Sequence, residues 1–162
     1  MISLLRARKR TLNVLLSLSA IGLEVFYSIC AGSCSYLRGT VFGFDLTYVG
    51  IIFAVILIAL NLLKRDLLIL ALLSAGVGAE IVLASFQIRN NVYCPYCLGF
   101  GGIILLLCIV NFDVRRKAVV AVSVVLGFLV FSLFFKGSVV PAYACRNADL
   151  IFLSSFRNNN LV

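Results

Sequence analysis

Five apolar runs, each bounded by charges or turn residues, cover about 11–29, 46–63, 67–87, 95–110 and 118–135. Each is close to the roughly 20 residues that cross a hydrocarbon core. The pattern predicts an all-α integral membrane bundle of five transmembrane helices within 1–135, followed by an extracytoplasmic tail, 136–162. Connections at 64–66 and 111–117 are short, so the helices they join should be antiparallel neighbours. Two stretches fall outside the bundle: a first outer loop, about 30–45, and the tail, which has no helical period.

The first run follows Arg6–Arg10 and precedes the small residues Ala31-Gly32-Ser33, an arrangement shared with signal peptides. Its length, nearer 19 residues than the roughly 7–15 of a signal core, and Glu24 inside it argue for a retained helix.

Composition agrees with the pattern: of 162 residues, 63% are hydrophobic and 12% charged, where a soluble domain is about half apolar and a quarter charged. The formal charge of +8 raises the question of a nucleic-acid partner, which the placement of the charges answers. Arg6, Arg8, Lys9, Arg10, Lys64, Arg65, Arg115, Arg116 and Lys117 fall on one side of such a bundle. Arg38, Arg89, Lys136, Arg146 and Arg157 are spread thinly over the other. The positive-inside rule then puts the N-terminus in the cytoplasm and the C-terminus outside, in a multi-pass protein of the cytoplasmic (inner) membrane. Membrane lipid is the expected partner, and nucleic acid is not. The chain has no His and no Trp, which excludes Ser-His-Asp hydrolysis and His-ligated zinc or haem.

Six cysteines therefore carry the chemistry. The topology sets Cys30 and Cys34 in the first outer loop, Cys94 and Cys97 at the outer start of the fourth helix, and Cys145 in the tail. Cys108 lies near the other face, as a small hydrophobe in the packing. A four-cysteine zinc site has tolerable spacing but no soluble module to staple, so no metal is expected. Structural disulfides remain open as an explanation of the outer pairs. Against them stands Cys94-Pro95-Tyr96-Cys97, which opens an apolar helix directly after Arg89-Asn90-Asn91. Pro95 suits the first helical position. Cys94 is then the N-cap and Cys97 the third helical residue, where free N–H groups and the helix dipole favour a thiolate. A two-residue spacer lets such a pair close a disulfide and reopen it.

These residues resemble the vitamin K epoxide reductase family of membrane thiol oxidoreductases, in a short prokaryotic form, over about residues 11–135. The resemblance rests on the cysteine pair after the first helix, on Gly39-Thr40-Val41-Phe42-Gly43-Phe44-Asp45-Leu46-Thr47-Tyr48-Val49-Gly50, and on Tyr93-Cys94-Pro95-Tyr96-Cys97. DsbB-type proteins carry their two pairs in the reverse order. Membership implies four helices around a quinone (ubiquinone or menaquinone). It also implies a separate extracytoplasmic thioredoxin-like (DsbA-like) protein that passes electrons to Cys30 and Cys34, then to Cys94 and Cys97, then to the quinone, in support of disulfide bond formation. Cys30 is the residue expected to meet that partner, and Cys97 the one facing the quinone. Leu98-Gly99-Phe100-Gly101-Gly102 follows the motif, without the tyrosine of the animal enzymes, so vitamin K epoxide is not the expected substrate.

Within that reading, Glu24 and Glu80, each on the order of 10 Å below the outer surface, are candidates to exchange protons with the quinone, or else are packing residues. Phe26, Tyr27, Phe44, Tyr48, Phe86, Tyr96 and Phe100 are candidates to line an aromatic slot. Asp45 is expected to cap the second helix, and Ser74, Gly76 and Gly78 to allow close helix packing. Arg38 is read as an exposed solubilising charge, or else as a cation favouring a nearby thiolate or partner carboxylates, and Cys145 receives no assigned role. Two other readings remain: an exporter delivering electrons outward, and a non-catalytic membrane subunit with structural disulfides. The first would want a thiol pair open to the cytoplasm, where the topology offers only Cys108.

Overall fold

The computed structural model describes the backbone of residues 2–34 and 37–139, and the side chains of 8–28 and 39–139. Five α-helices, α1 (Ile2–Cys34), α2 (Leu46–Leu62), α3 (Asp66–Asn90), α4 (Pro95–Asn111) and α5 (Lys117–Phe134), account for most of it. Three strands, β1 (Leu37–Val41), β2 (Phe44–Asp45) and β3 (Phe135–Val139), complete it.

Three of the helical segments, Arg8–Ser28, Asp66–Asn90 and Val114–Phe134, are long and apolar enough to cross a membrane. Large apolar side chains cover the outside of the bundle: Leu15, Ile52, Val122 and Leu133 are all more than half exposed. In water such a surface would aggregate, while in lipid it is solvated. The molecule is a helical membrane protein.

Helix α1 packs on α2 and α4, and α3 packs on the same two helices, which closes a ring of four. α5 lies outside the ring along α3, their contact being the most extensive in the molecule. The reason is the absence of side chains: a Cβ at Gly78 would strike the backbone of Val124 and Phe128, and one at Gly127 the backbone of Ala75. Gly78 acts as its sequence context predicts, and Gly127 is its counterpart on α5. Inside the ring, two apolar clusters are stacked along the bundle axis, one around Ala20, Ala54, Phe100 and Ile104, the other around Leu57, Ile69, Leu73 and Leu107. Cys108 packs against the second, as a small apolar residue would.

The helix boundaries correct the expected spans where local rules outweigh hydropathy. α1 begins well before residue 11, because Leu, Ala, Arg and Lys are strong helix formers even where they are not apolar. It also continues through Ala31-Gly32-Ser33 to Cys34, so the backbone at Cys30 and Cys34 belongs to the last helical turns of α1 and not to the predicted outer loop. The rest of that loop, and the start of the tail, form a sheet of order β2-β1-β3, all antiparallel. Phe42 and Gly43, with φ of 54° and 84°, make the two-residue turn between β1 and β2, the left-handed pair whose twist matches the strands. β3 pairs with β1 from Leu37↔Val139 to Val41↔Phe135. Gly39 faces Gly137 in this register, and the ring of Phe135 lies over Gly39, with Phe86 of α3 edge-on to it at 5.3 Å. The sheet thus holds the connection after Cys34 against the ends of α3 and α5. Cys145 and the tail beyond residue 139 lie outside the described residues, as do the side chains of Cys30, Cys34 and Arg38.

Candidate functional site

The C-terminus of α3 and the N-terminus of α4 build the site. α3 stops at Asn90, where Asn91 adopts a left-handed φ of 51°, as asparagine does more readily than other side-chain-bearing residues. Three residues later Cys94 caps α4, with Pro95 in the first turn where its missing N–H costs nothing. The cap is a sulfur: the Cys97 N–H donates to Cys94 Sγ at 3.4 Å, taking the role usually given to a serine or aspartate oxygen. On the other side, the Cys94 N–H donates to Gln87 Oε1 at 2.9 Å. Gln87 is 2% exposed, so this bond is sheltered and ties the cysteine to the last turns of α3. Both cysteines are thiols in the structure. The hydrogen bond from the Cys97 side chain holds the Cys94 thiol below its usual range, at about 6, against a burial that raises it. The backbone N–H groups of Cys97 and Tyr96 act in the same direction.

Next to the cysteine pair the polypeptide leaves a space of about 70 Å³ between the ring helices and α5. Cys97 lines it, together with Glu24 of α1, Glu80 of α3, Phe53 of α2, Phe100 of α4 and Phe131 of α5. Its walls are otherwise apolar. Each carboxylate is seated on a glycine of the next helix: a Cβ on Gly50 would come within 2.9 Å of Glu24 Oε1, and one on Gly101 within 2.7 Å of Glu80 Oε2. Any side chain at either position would push its carboxylate out of place. Each ring helix thus contributes a group: a carboxylate from α1 and from α3, a sulfur from α4, a glycine seat from α2 and α4.

Four of the residues expected in the site, Cys97, Glu24, Glu80 and Phe100, share this cavity. Tyr96 does not. Its ring packs on Phe26 at 5.9 Å and Tyr27 at 5.5 Å, fastening α4 to α1 at the cysteine end. Phe44 and Tyr48 also lie outside the lining, and they are 67% and 65% exposed. Leu46, Val49, Gly50 and Phe53 form the α2 stripe that faces the cavity, and position 48 falls off that 3.6-residue period. Phe44 is held on the outside by its pairing with Val41. Asp45 caps α2 as expected, accepting from the Thr47 N–H at 3.1 Å. Gln87, Gly50 and Gly101 were not singled out by the sequence. Gln87 sits at the edge of an apolar run, where a polar residue reads as the end of a span, and only its distance of seven residues from Cys94 hints at the bond.

The chain matches no known family model, no curated protein and no solved structure.

Proposed function

We propose that this protein is a quinone-linked membrane thiol oxidase of the vitamin K epoxide reductase type, accepting electrons from a separate extracytoplasmic thioredoxin-like protein. The observation that supports it is the pairing of a capping cysteine with Cys97, whose sulfur faces the same apolar cavity as two carboxylates. In this reading all five helices cross the cytoplasmic membrane, α2 and α4 reaching about 25 Å each at 1.5 Å per residue. The N-terminus is cytoplasmic, and Cys30, Cys34, Cys94 and Cys97 lie at the outer end.

The chemistry is thiol–disulfide exchange. A thiolate of the reduced carrier attacks Cys30 of a Cys30–Cys34 disulfide, and its second thiol resolves the mixed disulfide, leaving the carrier oxidised and Cys30 and Cys34 reduced. The Cys34 thiolate then attacks Cys94 of a Cys94–Cys97 disulfide and releases Cys97, after which Cys30 displaces Cys94 from Cys34. In that last step Cys94 leaves readily, because its thiolate is held by the hydrogen bond from the freed Cys97 thiol and by the backbone N–H groups at the helix end. A bound quinone supplies an acceptor for the two electrons and two protons that the Cys94–Cys97 dithiol gives up on closing its disulfide. Phe53, Phe100 and Phe131 would hold its ring, and Glu24 and Glu80 hold protons at their carboxyl oxygens beside it. The lining offers aromatic faces and two carboxylates to a flat ring, and since about 70 Å³ takes only part of one, quinone binding in this reading requires the cavity to widen.

The test is made on the purified chain in detergent with added quinone and a reduced thioredoxin-like donor. The native protein should produce quinol, and Cys94→Ser, in which Cys97 has no partner to close on, should show a visible thiolate–quinone charge-transfer band. A folded, quinone-replete sample with neither result refutes the oxidase.

A further inference from the structure

The opposite end of the bundle holds a second concavity, unconnected with the redox chemistry. It lies between α1 and the end of α2, with a volume of about 390 Å³, and is lined by Arg10, Val14, Leu15, Asn61, Leu62 and Lys64, among others. Its two halves differ in chemistry. Val14, Leu15 and Leu62 make an apolar floor, the last two 56% and 71% exposed on the outside of the helices. Arg10 and Lys64 make a basic mouth, and neither is ion-paired: among the described residues the ion pair joins Arg116 to Asp113. Asp66, the next acid in sequence, opens α3 and does not line the groove.

One feature of this mouth asks for an acceptor, and two describe the backbone that presents it. Arg10 Nε is buried with no hydrogen-bond partner, alone in this respect among the buried side-chain nitrogens and oxygens described. A buried donor on a cation is costly to leave unmet. Asn61, itself 6% exposed, donates to the Arg10 carbonyl at 3.0 Å, so the backbone that presents the guanidinium is fixed to α2. Lys64 adopts a left-handed φ of 58° in the turn that ends α2, where Lys64 N–H donates to Asn61 O and Arg65 N–H to Leu60 O. Glycine is the residue such a turn favours, and a lysine there gives up stability to keep a charge at the mouth.

We propose that this groove is a binding site for one anionic phospholipid, its phosphodiester held by Arg10 and Lys64 and the start of an acyl chain lying on Val14, Leu15 and Leu62. A planar guanidinium and an ammonium converging above an apolar floor suit that ligand, since the floor has no use for free phosphate.

Native mass spectrometry of the full chain, titrated with palmitoyl-oleoyl phosphatidylglycerol or with the matching phosphatidylcholine, tests it. One phosphatidylglycerol should be retained in preference to phosphatidylcholine. Arg10→Gln should weaken it about tenfold, the size of one charge-assisted hydrogen bond. Lys64→Gly should weaken the lipid while raising the melting temperature, which a purely structural role for Lys64 does not predict. Arg115→Gln, at the same end but outside the groove, should leave affinity unchanged. Equal losses in Arg10→Gln and Arg115→Gln would reduce the effect to diffuse surface charge and overturn the site. Equal retention of phosphatidylcholine, or displacement of the lipid by inorganic phosphate, would overturn the choice of ligand.

Discussion

The two ends of the four-helix ring treat buried polar groups in opposite ways. At the basic end, Asn13 of α1 and Asn111 of α4 exchange reciprocal hydrogen bonds of 3.1 and 2.9 Å, and Asn111 also donates to Leu107 O. Asn61 is bonded to Arg10, and Asn13, Asn61 and Asn111 are all under 9% exposed. At the cysteine end, Glu24 and Glu80 face a cavity, with Cys97 beside them. Arg10 Nε apart, the amides of the basic end satisfy each other or the backbone between the same four helices, while the cysteine end sets two carboxylates and a thiol around a void. An amide pair locks helices in register at no cost in reactivity. Carboxylates and thiols directed at a void are expensive unless something is to be exchanged there.

Four substitutions and one pH profile sharpen that contrast. Cys97→Ser should abolish quinol formation while the bundle still folds, read as lost turnover with an unchanged melting temperature; a protein that merely becomes less stable would make the pair structural. Glu24→Gln and Glu80→Gln should each lower turnover on the order of 100-fold, the range of a lost proton-transfer group, without changing the reactivity of the thiols. If alkylation of Cys94 falls in parallel, the carboxylates act on folding and not on protons.

Asn111→Leu, at the other end, should cost about 2 kcal/mol of stability by leaving Asn13 buried and unmet, with turnover per folded molecule unchanged. Thermal or denaturant unfolding in detergent reads the first, and the quinol assay the second. The smallest effect is in pH. With its thiol held at about 6, Cys94 is mostly thiolate at neutral pH, so iodoacetamide labelling of Cys94 in the reduced protein, read by peptide mass spectrometry, should be flat above pH 7 and fall about tenfold per unit below 6. Linkage has the matching sign: because the folded value lies below the unfolded one, Cys94 stabilises the reduced fold at alkaline pH, and that contribution is lost as pH falls towards 6. Labelling of Cys94 that keeps rising up to pH 9 would remove the stabilisation of its thiolate by the Cys97 thiol and the helix end.

Much of this was legible in the chain. The motif from Cys94 to Cys97 was readable because capping is local: Pro95 at the first helical position, an asparagine turn before it and an apolar run after it fix the geometry within a few residues. Asp45 was readable for the same reason. Glu24 and Glu80 stood out as charges in apolar helices, but their convergence on Cys97 depended on how three helices face one another. Phe44 and Tyr48 were assigned by closeness to the outer surface, a criterion that ignores the strand pairing of Phe44 and the side of α2 that Tyr48 occupies.

The sequence alone determined the membrane class of this protein, its helices and the sulfur that caps α4, since hydropathy, periodicity and capping act over a turn or a span. Only the tertiary structure decided the ring of four with α5 outside it, the sheet that joins residues 37–45 to 135–139, the seats of Glu24 on Gly50 and Glu80 on Gly101, and the tether from Gln87 to Cys94. These contacts join residues from separate helices and strands. They are settled by which glycine leaves room for which side chain, a steric complementarity that leaves no periodic trace in one dimension.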